Sequence, residues 1–168
     1  PGPKSLIRRL IEADLADPAA YETLGTGYDE VYHLAAVIGV RNVLERPHDV
    51  VRINALTTIY LLDWMVEQNR QGRFLFSSTS EAYAWTRQFM ELPTPTPEDV
   101  PLALTDLSNP RSSYAGSKIF GELAVHQYGA KHSMEFVILR YHNIYGPRMG
   151  WDHVVPELFE RATAGEDP

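Results

Sequence analysis

The sequence has no cysteine among its 168 residues. That excludes disulfides, thiolate zinc sites and iron–sulfur clusters, and it suits a reducing cytoplasm. Positive charge is scarce: 15 Lys and Arg stand against 22 Asp and Glu, a net charge of -7. No basic block offsets this, so neither a nucleic-acid partner nor an anionic membrane surface is expected. The longest apolar runs free of formal charge cover only residues 31–40 and 53–62, whereas about 20 residues are needed to cross a bilayer. No His-Glu-x-x-His string occurs, and the nearest two histidines, His126 and His132, are six apart, so no metal site is predicted. The first residues carry no secretory pattern. Also missing is a glycine-rich phosphate-binding turn. The 11 glycines form no G-x-x-G-x-x-G or G-x-G-x-x-G, and Gly25-Thr-Gly27 precedes a strand instead of following one into a helix. What is present is 44% hydrophobic residues, enough at this length for one globular domain with a real core. The composition predicts a soluble, cytoplasmic protein.

Short apolar stretches alternate with longer helical ones. Residues 10–15, 30–35, 74–78 and 135–140 are apolar without alternation, as strands covered on both faces are. Residues 49–69 place Val50, Ile53, Leu56, Ile59, Tyr60 and Trp64 at helical spacing. Residues 113–132 behave alike, and 156–164 predict a last short helix. This order calls for an α/β fold with βαβ units and a parallel sheet. Pro93, Pro95, Pro97 and Pro101 make residues 92–101 a long loop, because proline cannot donate to a ladder. Following a strand, the loop is expected at the carboxyl end of the sheet, where open α/β sheets bind ligands.

Three strings carry chemistry. In Tyr114-Ala-Gly-Ser-Lys118 the two end residues share one helical face. A free tyrosine titrates near ~10 and is a poor base at neutral pH, but a fixed ammonium nearby stabilises its phenolate. The pair is thus suited to general acid/base work, although a packed Tyr beside a solvated Lys has the same spacing. Phe74-Leu-Phe-Ser-Ser-Thr-Ser-Glu81 runs from a strand into hydroxyls that can bond either a substrate oxygen or the local backbone. Arg140-Tyr-His-Asn-Ile-Tyr-Gly-Pro-Arg148 also follows a strand, and Asn143 offers amide donors to a ligand or to its own loop.

These strings, in this order and over nearly the whole chain, resemble the extended short-chain dehydrogenase/reductases of the NAD-dependent epimerase/dehydratase family. Further matches are His33-Leu-Ala-Ala36 at a strand end, Asn54 in the following helix, and Asp14-Leu15 as the pair facing adenine. The resemblance implies a Rossmann-like, doubly wound parallel sheet, NAD as cofactor, a nucleotide-sugar substrate and a homodimer formed through the helices at 49–69 and 113–132. It assigns Tyr114 as acid/base on a sugar hydroxyl. Lys118 would hold the nicotinamide ribose and lower the Tyr114 pKa, and Thr79 would bond the reacting oxygen. Glu81 joins them as a catalytic residue. Asp14, Leu15, Leu34, Ala35, Ala36, Asn54, Ser77, Tyr114, Lys118 and Tyr141 would line the cofactor; Thr79, Ser80, Asn143 and Arg148 would face the substrate.

The same resemblance implies an incomplete fold. The first βαβ unit and most of the carboxyl-terminal substrate lobe are absent, and residues 1–168 form a partial NAD(P)-binding domain with the substrate lobe beginning near 141–168. Such a chain is expected either to dimerise strongly or to be marginally stable, since an uncovered sheet leaves backbone groups and apolar surface open. Family dehydratases tend to carry Asp-Glu after the Thr; here the string is Thr79-Ser80-Glu81, which points to an epimerase or a decarboxylase through a 4-keto sugar. A non-catalytic scaffold that has lost its cofactor is the remaining alternative.

Overall fold

The computed structural model describes residues 9–147, 149–150 and 153–166. Three parallel strands carry it: β1 (Glu30–His33), β2 (Arg73–Thr79) and β3 (Phe136–Tyr141), in that spatial order. Phe76 on β2 pairs with His33 on one side and Ile138 on the other. From β1 the chain passes through α1 (Val40–Glu45) and α2 (Pro47–Gln68) to β2. Two 3-10 turns (Ser80–Tyr83 and Trp85–Gln88), the proline-rich loop and α3 (Ser112–His132) then lead to β3, and α4 (Val154–Thr163) follows.

Local chemistry sets these boundaries. Pro47 opens α2 and Asp49 sits in its first turn, both favourable at a helix start. Beyond its end, Asn69 accepts from the Tyr28 amide at 2.8 Å and donates to the Tyr28 carbonyl at 2.9 Å, which fixes the entry to β1. Lys131 and His132 lie in the last turn of α3, where cations suit the helix dipole, and Ser133 ends it at φ 54°. Leu61, Leu62, Trp64 and Met65 of α2 and Ala124 and Val125 of α3 meet Phe74 and Phe76 in the core. The opposite side of the sheet leaves Tyr32, Val137 and Tyr141 exposed.

Alpha3 rides close on the sheet because glycines face it. A Cβ at Gly121 would stand 2.2 Å from Phe76 Cζ, and one at Gly129 would stand 2.4 Å from Phe136 Cε1. Gly121→Ala must push the helix off a fully buried ring, so it is expected to cost about 1–3 kcal/mol despite the better helix propensity of Ala. Urea unfolding measures this; an unchanged midpoint would mean the helix lies further out.

Three expectations need correction. Residues 10–15 form no strand: the Asp14 carboxylate accepts from the Ala16 amide at 2.9 Å and the Asp17 amide bonds the Asp14 carbonyl at 3.0 Å, turning the chain, and Leu10 is exposed. Beta1 stops at His33 rather than Ala35, because residues 34–39 are drawn away as a loop by Asn54. The proline-rich loop is a loop as expected, but the two 3-10 turns separate it from β2.

Candidate active site

The carboxyl ends of β1, β2 and β3 meet the first turns of α3. Tyr114 and Lys118 lie one turn apart there, and the Lys118 side chain is buried. Its Nζ donates to the Ser77 carbonyl at 2.8 Å and lies 5.2 Å from the Phe76 ring centroid and 5.9 Å from that of Tyr114. Burial lowers the ammonium to about 8, so it remains mostly charged at pH 7. The Tyr114 phenol is raised, first by burial and then by Glu81, while the nearby Thr79 hydroxyl opposes the rise. The lowering of Tyr114 expected from Lys118 is therefore not what this structure carries; desolvation prevails. Glu81 is itself raised, by the protein packed around its carboxyl, against a counteracting Arg111.

Thr79 caps the turn that follows it, its Oγ1 accepting from the Glu81 amide at 3.3 Å. Its hydroxyl hydrogen thus stays available for the phenol oxygen. Ser77 spends its hydroxyl on the His33 carbonyl at 2.8 Å, tying β1 to β2. Asn54 is committed too: Oδ1 accepts from the Val37 amide at 2.7 Å, and Nδ2 donates to the Val37 carbonyl at 3.2 Å and to Ser117 Oγ at 3.1 Å. It holds the 34–39 loop against α3.

Thr58 donates to the Asn54 carbonyl at 2.8 Å, so His33 Nε2, 3.0 Å from Thr58 Oγ1, must be the donor of that pair. Burial, with Lys118 adding to it, lowers His33 from 6.5 to about 4. Above pH 6.5 the imidazole is neutral folded or unfolded and costs nothing. As pH falls from 6.5 to 4 the unfolded chain gains a proton that the folded chain refuses, so stability drops, by about 3 kcal/mol in total. His33→Gln is expected to lose that part of the acid sensitivity, read as urea midpoints at pH 7, 5.5 and 4.5; parallel profiles would contradict it.

Beneath the site, buried Glu122 takes two bonds from Arg140, Nε to Oε1 at 3.0 Å and Nη2 to Oε2 at 2.7 Å, and a third from Ser78 Oγ. Arg140 Nη1 continues to the Glu98 carbonyl of the proline-rich loop at 2.7 Å. The Glu122 pair raises Arg140 further.

With this geometry in place, the comparison with known proteins is direct. The sequence pattern of the NAD dependent epimerase/dehydratase family matches residues 2–168. The chain belongs to this family. It is 32% identical over 163 residues to a dTDP-glucose 4,6-dehydratase of an Actinoplanes species, covering 94% of this chain and 45% of that protein. It is 29% identical over 161 residues to a UDP-N-acetyl-alpha-D-glucosaminuronate decarboxylase of Bacillus cytotoxicus, covering 94% and 47%. Among solved structures, UDP-glucuronic acid 4-epimerase from Bacillus cereus in complex with NAD superposes with a TM-score of 0.66 at 25% identity, over 92% of this chain and 43% of that one. The fold is accordingly an incomplete Rossmann-type α/β fold, and the chain spans less than half the length of these relatives.

The family is NAD-dependent, and the residues present fit one end of that cofactor. Lys118 has three N–H donors, of which one is used on Ser77. A buried ammonium with two donors left suits a ribose diol, and the exposed Leu34 and Ala35, with half-buried Ala36, leave the neighbouring loop open to approach. Tyr141 closes β3 opposite Thr79, Ser80 starts the next turn half-buried, and Asn143 is exposed in the loop beyond β3. Arg148 lies outside the described residues. Asp14 and Leu15 sit apart from Tyr114, tied to α2 through Tyr21, whose hydroxyl bonds the Leu15 carbonyl at 3.0 Å.

Sequence reasoning missed Glu122 and the role of His33. Glu122 left one signal: it lies four residues after Lys118, on the helix face that carries Ala115, Gly121 and Val125. Among the described residues no cluster of three metal-ligating side chains occurs, and no helix is long and apolar enough to cross a membrane. A shallow concavity of about 670 Å³ at the opposite end of the sheet is lined by Tyr28, Glu30, Arg73 and Glu135. Its arginine is already paired with Glu135 at 3.3 Å and lies 3.9 Å from Glu30.

Proposed function

We propose that this chain carries the acid/base centre of an NAD-dependent enzyme that modifies a nucleotide sugar through a 4-keto intermediate. The observation that supports the reading best is the convergence of Tyr114, Thr79 and a buried Lys118 ammonium at the strand ends. Bound NAD supplies the hydride acceptor. Thr79 and Tyr114 bond the sugar hydroxyl oxygen; Tyr114, in its phenolate form, takes the hydroxyl proton as the carbon is oxidised and hydride leaves to the cofactor, then returns it on reduction. Lys118 holds the ribose and balances the charge that develops on the phenol oxygen. Glu81, raised toward the protonated form, stands beside Tyr114 as a second proton carrier. Ser80 occupies the place where water loss calls for a carboxylic acid, which favours epimerisation or decarboxylation over dehydration. The reading extends to a partial cofactor domain over 1–168, with the substrate lobe starting near 141–168, in a cytoplasmic protein. Two copies would pair through α2 and α3, where Val51, Phe120 and Leu123 are exposed; sedimentation equilibrium tests that pairing, and a strict monomer would refute it.

The test is to incubate the purified protein with NAD⁺ and UDP-linked hexoses or hexuronic acids, and to follow products by NMR. Inverted or decarboxylated sugar is expected. A 4-keto-6-deoxy product would overturn the choice of reaction, and no conversion of any nucleotide sugar would overturn the function.

A further inference from the structure

Lys118 and Glu122 are successive turns of one face of α3, and each grips the end of β2. Lys118 takes the Ser77 carbonyl and Glu122 takes the Ser78 hydroxyl, the two positions just before Thr79. Both helix residues are buried, so neither grip is loosened by water. Glu122 is in turn fixed by the two-pronged Arg140 contact, which anchors it to β3. Beta2 therefore cannot slide or rotate against α3 without breaking a buried charged bond.

We propose that Glu122 is a positioning residue: by holding Ser78 it sets the end of β2, and with it the Thr79 hydroxyl, relative to Tyr114 on α3. It touches no reacting atom. Through Arg140 Nη1 on the Glu98 carbonyl, the same carboxylate also fixes the proline-rich loop relative to the acid/base pair. The inference rests on Tyr114 and Thr79 forming the working pair, as proposed above.

The experiment titrates Tyr114 directly and needs no turnover. Tyrosines labelled with ¹³C at Cζ are followed by NMR in the whole chain, the Tyr114 signal being assigned by its loss in Tyr114→Phe. Thr79→Val removes the hydroxyl that opposes the rise of the phenol and is expected to raise the Tyr114 midpoint by about half a unit to one unit. Ser78→Ala, which leaves the Glu122–Arg140 pair intact, and Glu122→Gln are expected to raise it by a similar amount, and neither adds to Thr79→Val when combined. Ser78→Thr, which keeps a hydroxyl, restores the original midpoint. A Tyr114 midpoint that moves in Thr79→Val but not in Ser78→Ala or Glu122→Gln would overturn the positioning role alone. If Thr79→Val leaves the midpoint unmoved, the pairing of Thr79 with Tyr114 falls and the proposal falls with it.

Discussion

Tyr114→Phe is expected to lower turnover by about 10²- to 10⁴-fold, the usual worth of a positioned general acid/base, while the protein stays folded and holds its cofactor. The substitution removes one oxygen. The ring of Tyr114 is half-buried at the start of α3 and keeps its packing, so the cost in stability is expected to stay within about 1 kcal/mol. In this structure burial and Glu81 raise the phenol, so the phenolate that takes the sugar proton has to form against that rise, with the Lys118 ammonium 5.9 Å from the ring centroid as the cation that favours it. Steady-state rates beside a thermal melt separate the two effects. Turnover that survives in Tyr114→Phe would remove this residue from the chemistry.

The second large effect concerns stability. Arg140→Met is expected to cost about 3–5 kcal/mol, because it leaves the Glu122 carboxylate without its counter-charge in the core. Against a typical total of about 5–15 kcal/mol, that is a large share. Exposure makes the pair asymmetric: the Glu122 side chain is 4% exposed and that of Arg140 20%. After Glu122→Gln, Arg140 can turn toward water, so the cost is expected to be smaller than for Arg140→Met. Replacing both, as Glu122→Leu with Arg140→Met, is expected to recover most of the loss, since an apolar pair needs no desolvation. Urea unfolding of the three variants checks the order. Equal costs for the two single substitutions would contradict the asymmetry.

Much of this was legible in the sequence for physical reasons. Alpha2 and α3 were visible because their apolar positions recur at helical spacing over more than 20 residues, β2 because a central strand demands apolar side chains, and β3 because residues 136–139 are an unbroken apolar run. Residues 10–15 look like a strand through Leu10, Ile11 and Leu15, whereas the Asx turn at Asp14 bends the chain there. The spacing of Tyr114 and Lys118 was visible, but its catalytic reading needed the strand-end strings around it, since a packed Tyr beside a solvated Lys has the same spacing. Which way Tyr114 shifts was not visible, since desolvation depends on packing from β2 and the 80–83 turn. Asn54 was read as a cofactor ligand, yet its amide is consumed in bracing the 34–39 loop, a use set by contacts far apart in sequence.

The most direct measurement is a calorimetric titration of NAD⁺ into the wild-type chain and into Lys118→Met, each first shown to be folded by its melt. The account predicts binding to the wild type and at least about a tenfold loss in Lys118→Met, equal to roughly 1.4 kcal/mol. It also predicts only a small change in stability, because relief of the buried ammonium's desolvation offsets the lost bond to the Ser77 carbonyl. Equal affinity in both proteins, or no binding by a folded wild-type chain, would contradict the claim that this site holds the nicotinamide end of the cofactor.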